Sequence, residues 1–177
     1  MRLLLHICCG PCALYPIKKL SKARFSEIKG FYYNPNIHPP SEYKRRRDTL
    51  KDAEKSLGFS VVYPDYKMED FFKNVNSLEV PKARCKECWK LRLLKTAEYA
   101  KNNDFNAFTT SLLISPYQDH EAIKDIGEEI ARGTDIEFYY EDFRTGFKES
   151  QEEAKSNQFY RQKYCGCVFS ELERVKV

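Results

Sequence analysis

The chain has 177 residues, 42% of them apolar and 32% charged, with seven cysteines and a formal net charge of +4. That length suits one domain, residues 1–177, with enough apolar material for a core. No apolar run approaches the roughly 20 residues of a membrane-spanning helix. The apolar start MRLLLHICCGPC carries an Arg and is too short for a secretory signal, so a cytoplasmic protein away from membranes is expected. In that compartment, clustered cysteines point to metal or redox chemistry rather than disulfide staples.

RLLLHIC (2–8) reads as a buried first strand. ALYPIKKLSKA (13–23) reads as a helix with Pro16 near its start, where proline is tolerated. SEIKGFYYNPN (26–36) carries an aromatic β-type run that ends in turn residues. Residues 39–58 have Pro and Ser at the start and Gly at the stop, the punctuation of a helix. FSVVYP (59–64) is a strand and MEDFFKNV (68–75) a short helix. CKECWKLRLLKTAEYAKNN (85–103) places Trp89, Leu93, Ala97 and Ala100 at helical spacing, with CKEC opening the helix. FNAFTTSLLI (105–114) is a strand running into a loop. Residues 119–133 form a helix closed by Gly133, and DIEFYY (135–140) is a strand. From Phe143 onward the chain is mostly helical, with a Cys-Gly-Cys interruption.

Strands alternating with helices predict an α/β fold with a doubly wound, mainly parallel sheet. Sites in such sheets lie beyond the carboxyl ends of the strands. Cys8, Cys9 and Cys12 fall at the end of the first strand, and Ser111 begins a loop after a later one, so the two segments are predicted to be neighbours. Charge is uneven: 18–24, 43–47, 81–86 and 160–163 are basic, and 119–142 is largely acidic. A basic face suits a polyanion such as RNA, although a solvated Lys-rich surface gives the same pattern.

The cysteines form three groups, CCGPC (8–12), CKEC (85–88) and CGC (165–167). Scattered core cysteines do not cluster in this way. CKEC at a helix start places two sulfurs on one turn, where the helix terminus favours thiolate; that is half of a tetrahedral zinc site or half of an iron–sulfur cubane. CGPC after an apolar strand also suits a thioredoxin-like thiol–disulfide oxidoreductase. Gly166 gives the backbone freedom to bring Cys165 and Cys167 together, as a redox dithiol or as late metal ligands. Spacing does not separate a zinc-stabilised RNA-binding module from an iron–sulfur protein. Seven thiols exceed what one closed zinc site uses, which favours electron traffic.

HICCGPC (6–12), FYYNPNIHPPSEYKRR (31–46), RCKECWKLRL (84–93), TTSLLISPYQ (109–118) and FYRQKYCGCVFS (159–170) together resemble the cobalamin-independent epoxyqueuosine reductases of the QueH type. The resemblance runs in order along nearly the whole chain and takes in all seven cysteines. It implies an adenine-nucleotide-hydrolase-like (HUP-like) fold and reductive deoxygenation of epoxyqueuosine to queuosine at the tRNA wobble position. It also implies a [4Fe-4S] cluster held by Cys8, Cys9, Cys85 and Cys88, and a redox-active pair, Cys165 and Cys167. A further mononuclear iron is implied, with Cys12 an additional metal-ligand candidate. The partners would be tRNA and an electron donor whose identity the sequence does not give.

Further candidates are substrate-binding. Tyr33, Tyr117 and Tyr164, with Tyr32, are expected either to stack a flipped base or to pack in the core. Arg45 and Arg46, with Arg47, are expected to hold tRNA phosphates. Gln118 and Asp119 are hydrogen-bonding candidates, with a helix cap the favoured role for Asp119. His6, inside an apolar strand, is expected as a hydrogen-bonded core residue; His38 and His120, in loop or cap positions, are candidates for a proton donor, with a surface role favoured.

Overall fold

The computed structural model describes residues 1–23, 25–75 and 80–175. Five strands form one all-parallel sheet in the order β3-β2-β1-β4-β5. The strands are β1 (Arg2–His6), β2 (Glu27–Phe31), β3 (Ser60–Val62), β4 (Ala107–Thr110) and β5 (Glu137–Phe138). Among the described residues, seven α-helices connect and flank them: α1 (Gly10–Leu20), α2 (Pro40–Leu57), α3 (Met68–Val75), α4 (Pro81–Asn102), α5 (His120–Thr134), α6 (Phe147–Ser156) and α7 (Val168–Val175). β1 is central because Leu3, Leu4 and Leu5 are apolar on both faces and fully buried. From β1 the chain winds outward through β2 and β3, then returns to place β4 and β5 on the other side. The gap beyond the ends of β1 and β4 is therefore the switch point, where sites of doubly wound sheets form. No helix among the described residues is long and apolar enough to cross a membrane.

The expected order of elements holds, with several boundaries moved. α1 begins at Gly10 rather than residue 13, with Pro11 in its first turn and Cys9 as its N-cap. Pro16 consequently lies inside the helix and not near its start. A partner from α6 repairs the helix at this turn. The Ser150 hydroxyl accepts from Tyr15 N–H (3.1 Å) and donates to the Pro11 carbonyl (3.0 Å), filling a turn that would otherwise close on itself. α4 begins at Pro81, so CKEC lies in its second turn and does not open it. Within 105–114 the strand is Ala107–Thr110, and the expected loop after it is a 3₁₀ segment, Ser111–Ile114, entered where the Thr110 side chain accepts from Leu112 N–H. The last strand is shorter than residues 135–140.

Candidate redox site

β1 ends at His6, and the chain then turns Cys8, Cys9 and Cys12 together at the switch point. The three sulfurs lie within 4.8 Å of one another, so this group could hold a metal ion. Pairing of β1 with β4 brings Ser111 alongside, as its sequence position predicts. The Cys8 N–H donates to Ser111 Oγ (3.1 Å), and the Ser111 hydroxyl donates to Cys8 Sγ (3.4 Å). Hydrogen bonds from the Cys12 and Cys9 thiols hold Cys8 well below the ordinary thiol range. Burial pushes Cys9 up, and its link to Cys8 pushes Cys12 up. The trio therefore gives up its first proton at Cys8 and holds the others tightly, the behaviour of thiols sharing one negative charge. Gln162 closes the group, its Nε2 lying 2.8 Å from Cys9 Sγ and 3.7 Å from Cys12 Sγ.

A second thiol group comes from α4 and the CGC turn. Cys88 is buried beside Phe71 and Val75, with Cys167 and Phe169 packed on the same cluster. Cys85 is exposed. The expected helix-terminus stabilisation of these thiols does not operate, because the helix starts four residues earlier at Pro81 and its dipole acts only in the first turn. Burial instead raises Cys85 and pushes Cys88 up to about 11.

Arg92 links the two groups. It lies four residues after Cys88, hence on the same helix face, and is 4% exposed. It donates to Asn34 Oδ1 (2.8 Å) and His6 Nε2 (3.3 Å), and its Nη1 lies 3.9 Å from Cys88 Sγ. The His6 ring is held on both sides, its Nδ1 2.9 Å from Thr110 Oγ1 and its Nε2 also 3.3 Å from the Tyr33 carbonyl. Burial, together with Arg92, lowers His6 to about 3, so this buried histidine is neutral, as its place in the strand predicts. No carboxylate lies within 4.0 Å of Arg92 among the described residues. A buried cation without an anion is costly. The Cys8 and Cys165 thiols, both held below the ordinary range with the Arg92 charge contributing, supply the compensating negative charge. A thiolate-ligated metal centre with net negative charge fits the same position.

The CGC turn is fixed from several sides. Arg46 donates to the carbonyls of Cys165 (2.9 Å) and Tyr164 (3.1 Å). His38 N–H donates to Gly166 O (2.8 Å), and the Tyr164 hydroxyl donates to His38 O (2.8 Å). Gly166 has φ +121°, and an added Cβ would lie 2.9 Å from Ile37 Cγ1 and 3.0 Å from Arg46 Nη1. Gly166→Ala is expected to cost about 1–3 kcal/mol, read as a lowered thermal midpoint; an unchanged midpoint would show that the turn relaxes freely. The turn holds the two sulfurs 3.6 Å apart. A hydrogen bond from Cys167 lowers Cys165 to about 6, and the same contact raises Cys167.

The family profile of epoxyqueuosine reductase QueH matches residues 3–173. The chain belongs to this family. Curated relatives with the same printed description include one from Dehalococcoides mccartyi, 39% identical over 98% of this chain and 94% of its own length. One from Thermotoga maritima is 35% identical over 97% of this chain and 91% of its own length. One from Helicobacter pylori is 38% identical over 95% of this chain, which spans 49% of that longer protein.

The remaining residues singled out in this QueH family member are placed as follows. Tyr32 is fully buried among Tyr43 and Tyr63, so its expected base-stacking role gives way to core packing. Tyr33 is buried, with its hydroxyl donating to Asp70 (2.9 Å). Tyr117 is 84% exposed, against Phe147. Gln118 accepts from the Trp89 indole (3.1 Å), and Asp119 caps α5 through Ala122 N–H (3.1 Å). None of these contacts reaches a thiol. Arg46 is turned inward and paired with Glu42, so it does not face a phosphate, whereas Arg45 is exposed and lies over the Tyr160 ring at 3.7 Å. His38 and His120 are buried instead of exposed, His38 against Phe72 and His120 against the Ser115 carbonyl. The sequence reading missed Arg92 and Gln162. The i,i+4 spacing from Cys88 and the alternation of Tyr-Arg-Gln-Lys-Tyr were the available signals.

Proposed function

We propose that this chain reduces the epoxide of epoxyqueuosine in tRNA to the cyclopentene of queuosine. Membership of the QueH family carries the reading, and the Cys8, Cys9 and Cys12 group at the switch point, which could hold a metal ion, supports it. Cys8, Cys9, Cys85 and Cys88 would hold a [4Fe-4S] cluster. Cys12, within the same trio, would be free for a mononuclear iron. When bound, such centres supply single electrons and Lewis acidity.

Removing the epoxide oxygen as water consumes two electrons and two protons. Closure of Cys165 and Cys167 to a disulfide supplies both electrons and the Cys167 proton; Cys165 is already a thiolate at neutral pH, so solvent supplies the second proton, and an external reductant reopens the disulfide. Ser111 and Gln162 orient Cys8 and Cys9, and the Arg92 charge favours the thiolate forms of Cys8 and Cys165. The all-parallel sheet and the chain-wide family match leave no support for the thioredoxin-like alternative. The test is conversion of tRNA-borne epoxyqueuosine by anaerobically reconstituted protein with a chemical reductant. Iron and sulfide in a cluster ratio, together with formation of queuosine, are expected. Loaded protein that leaves the epoxide intact would refute the reading.

A further inference from the structure

Behind the CGC turn lies a cleft of about 530 Å³ between the start of α2, α7 and the segment 160–164. Four cations line it: Arg45, Arg161, Lys163 and Arg174. All four are exposed, and none has a carboxylate within 4.0 Å among the described residues. Two carboxylates share the lining. Glu42 is neutralised by Arg46 at 2.7 Å and bound by the Tyr160 hydroxyl at 2.9 Å, which leaves Glu171 as the counter-charge. Two aromatic rings interleave with the cations. Arg45 stands over Tyr160 at 3.7 Å, and Arg174 lies 5.9 Å from the centre of the Tyr164 ring.

The segment 160–164 is two-faced. Gln162 points to Cys9 and Cys12, Tyr160 to Glu42 and Tyr164 to His38. Arg161 and Lys163, between them, are exposed and line the cleft. One short strip thus contacts the thiols through Gln162 and lines the cleft with Tyr160, Arg161, Lys163 and Tyr164. The strip runs directly into Cys165. The largely acidic α5 belongs to the other group of helices, packed on α4 and β5 and not on α2.

We infer that this cleft seats the phosphodiester backbone of the RNA beside the nucleotide being reduced, with Arg45, Arg161, Lys163 and Arg174 on phosphates and Tyr160 and Tyr164 offering ring surface. Unpaired cations interleaved with aromatics are the chemistry of a single-stranded nucleic-acid groove. The inference rests on the proposed activity for the identity of the RNA, and it names the surface that activity requires.

The test uses the full-length, metal-reconstituted protein and a tRNA anticodon stem-loop, with dissociation constants measured across a salt series. Arg161→Ala/Arg174→Ala is expected to reduce the slope of log affinity against log salt by about 1.4, about 0.7 for each single-strand phosphate that is no longer neutralised. Affinity at about 0.1 M salt should fall on the order of tenfold or more. Lys101→Ala serves as the control, at the end of α4 beside the start of β1 and far from the cleft. It should leave the slope unchanged. An unchanged slope in the double variant, or an equal drop in the control, would overturn the inference. Epoxide conversion is scored separately. A wild-type protein that binds RNA through the cleft yet leaves the epoxide intact refutes the activity and not the cleft.

Discussion

Arg46→Met is expected to destabilise the protein by about 3–5 kcal/mol, the range for removing one partner of a buried ion pair. For a chain of this size, that lowers the thermal midpoint by on the order of 10 °C. The Arg46 side chain is 2% exposed and Glu42 10% exposed. Its guanidinium uses three nitrogens in a planar fork: Nε on Glu42 and the two terminal nitrogens on the carbonyls of Cys165 and Tyr164. Methionine fills the volume but leaves a carboxylate with only the Tyr160 hydroxyl and two carbonyls without donors. Arg46→Lys keeps the charge but not the fork, so an intermediate loss is expected. Arg46→Met/Glu42→Gln removes the uncompensated charge and should recover much of the deficit. Urea unfolding of metal-free proteins reads all three. A loss below about 1 kcal/mol in Arg46→Met would mean that water replaces the guanidinium, and the turn would not depend on it.

This network also shows where the sequence was legible. YKRRR reads as three equivalent surface cations, because a run of like charges carries no sign of which member points inward. Only the fold, by laying the CGC turn across α2, makes Arg46 a buried donor and leaves Arg45 outside. The strands and most helices were readable, since apolar runs and Pro, Ser and Gly punctuation are local signals. The neighbourhood of Ser111 and Cys8 was readable because switch-point geometry follows from strand order. The start of α4 was not, because Pro81 and the basic residues after it lack apolar periodicity and the visible pattern begins at the cysteines. Arg92 escaped notice for a related reason. Its partners, His6 and Asn34, lie 86 and 58 residues away, and no local pattern links them.

Alkylation of Cys165 is expected to follow a titration centred near pH 6, about three units below an unperturbed thiol. The cause is local: the Cys167 sulfur lies 3.6 Å away and shares its proton, so at neutral pH the pair holds one thiolate and one thiol. The thiolate persists down to about pH 6 and is lost below it. Rate at a single pH is a poor readout. A thiolate three units less basic loses roughly 10- to 30-fold in intrinsic nucleophilicity, which offsets most of its gain in population at pH 7. The midpoint does not suffer this cancellation. Cys167→Ala should move it upward, because alanine offers no proton to share with the Cys165 sulfur. In reduction of the epoxide, either Cys165→Ser or Cys167→Ser should abolish the single turnover that the reduced protein performs without added reductant, a loss of at least about a hundredfold. Iron and sulfide content should stay at the wild-type level, because neither residue is a proposed cluster ligand. Full single turnover in both variants would mean that the two electrons come from elsewhere. The turn would then remain as a structural clasp, and the low Cys165 midpoint would persist without a catalytic use.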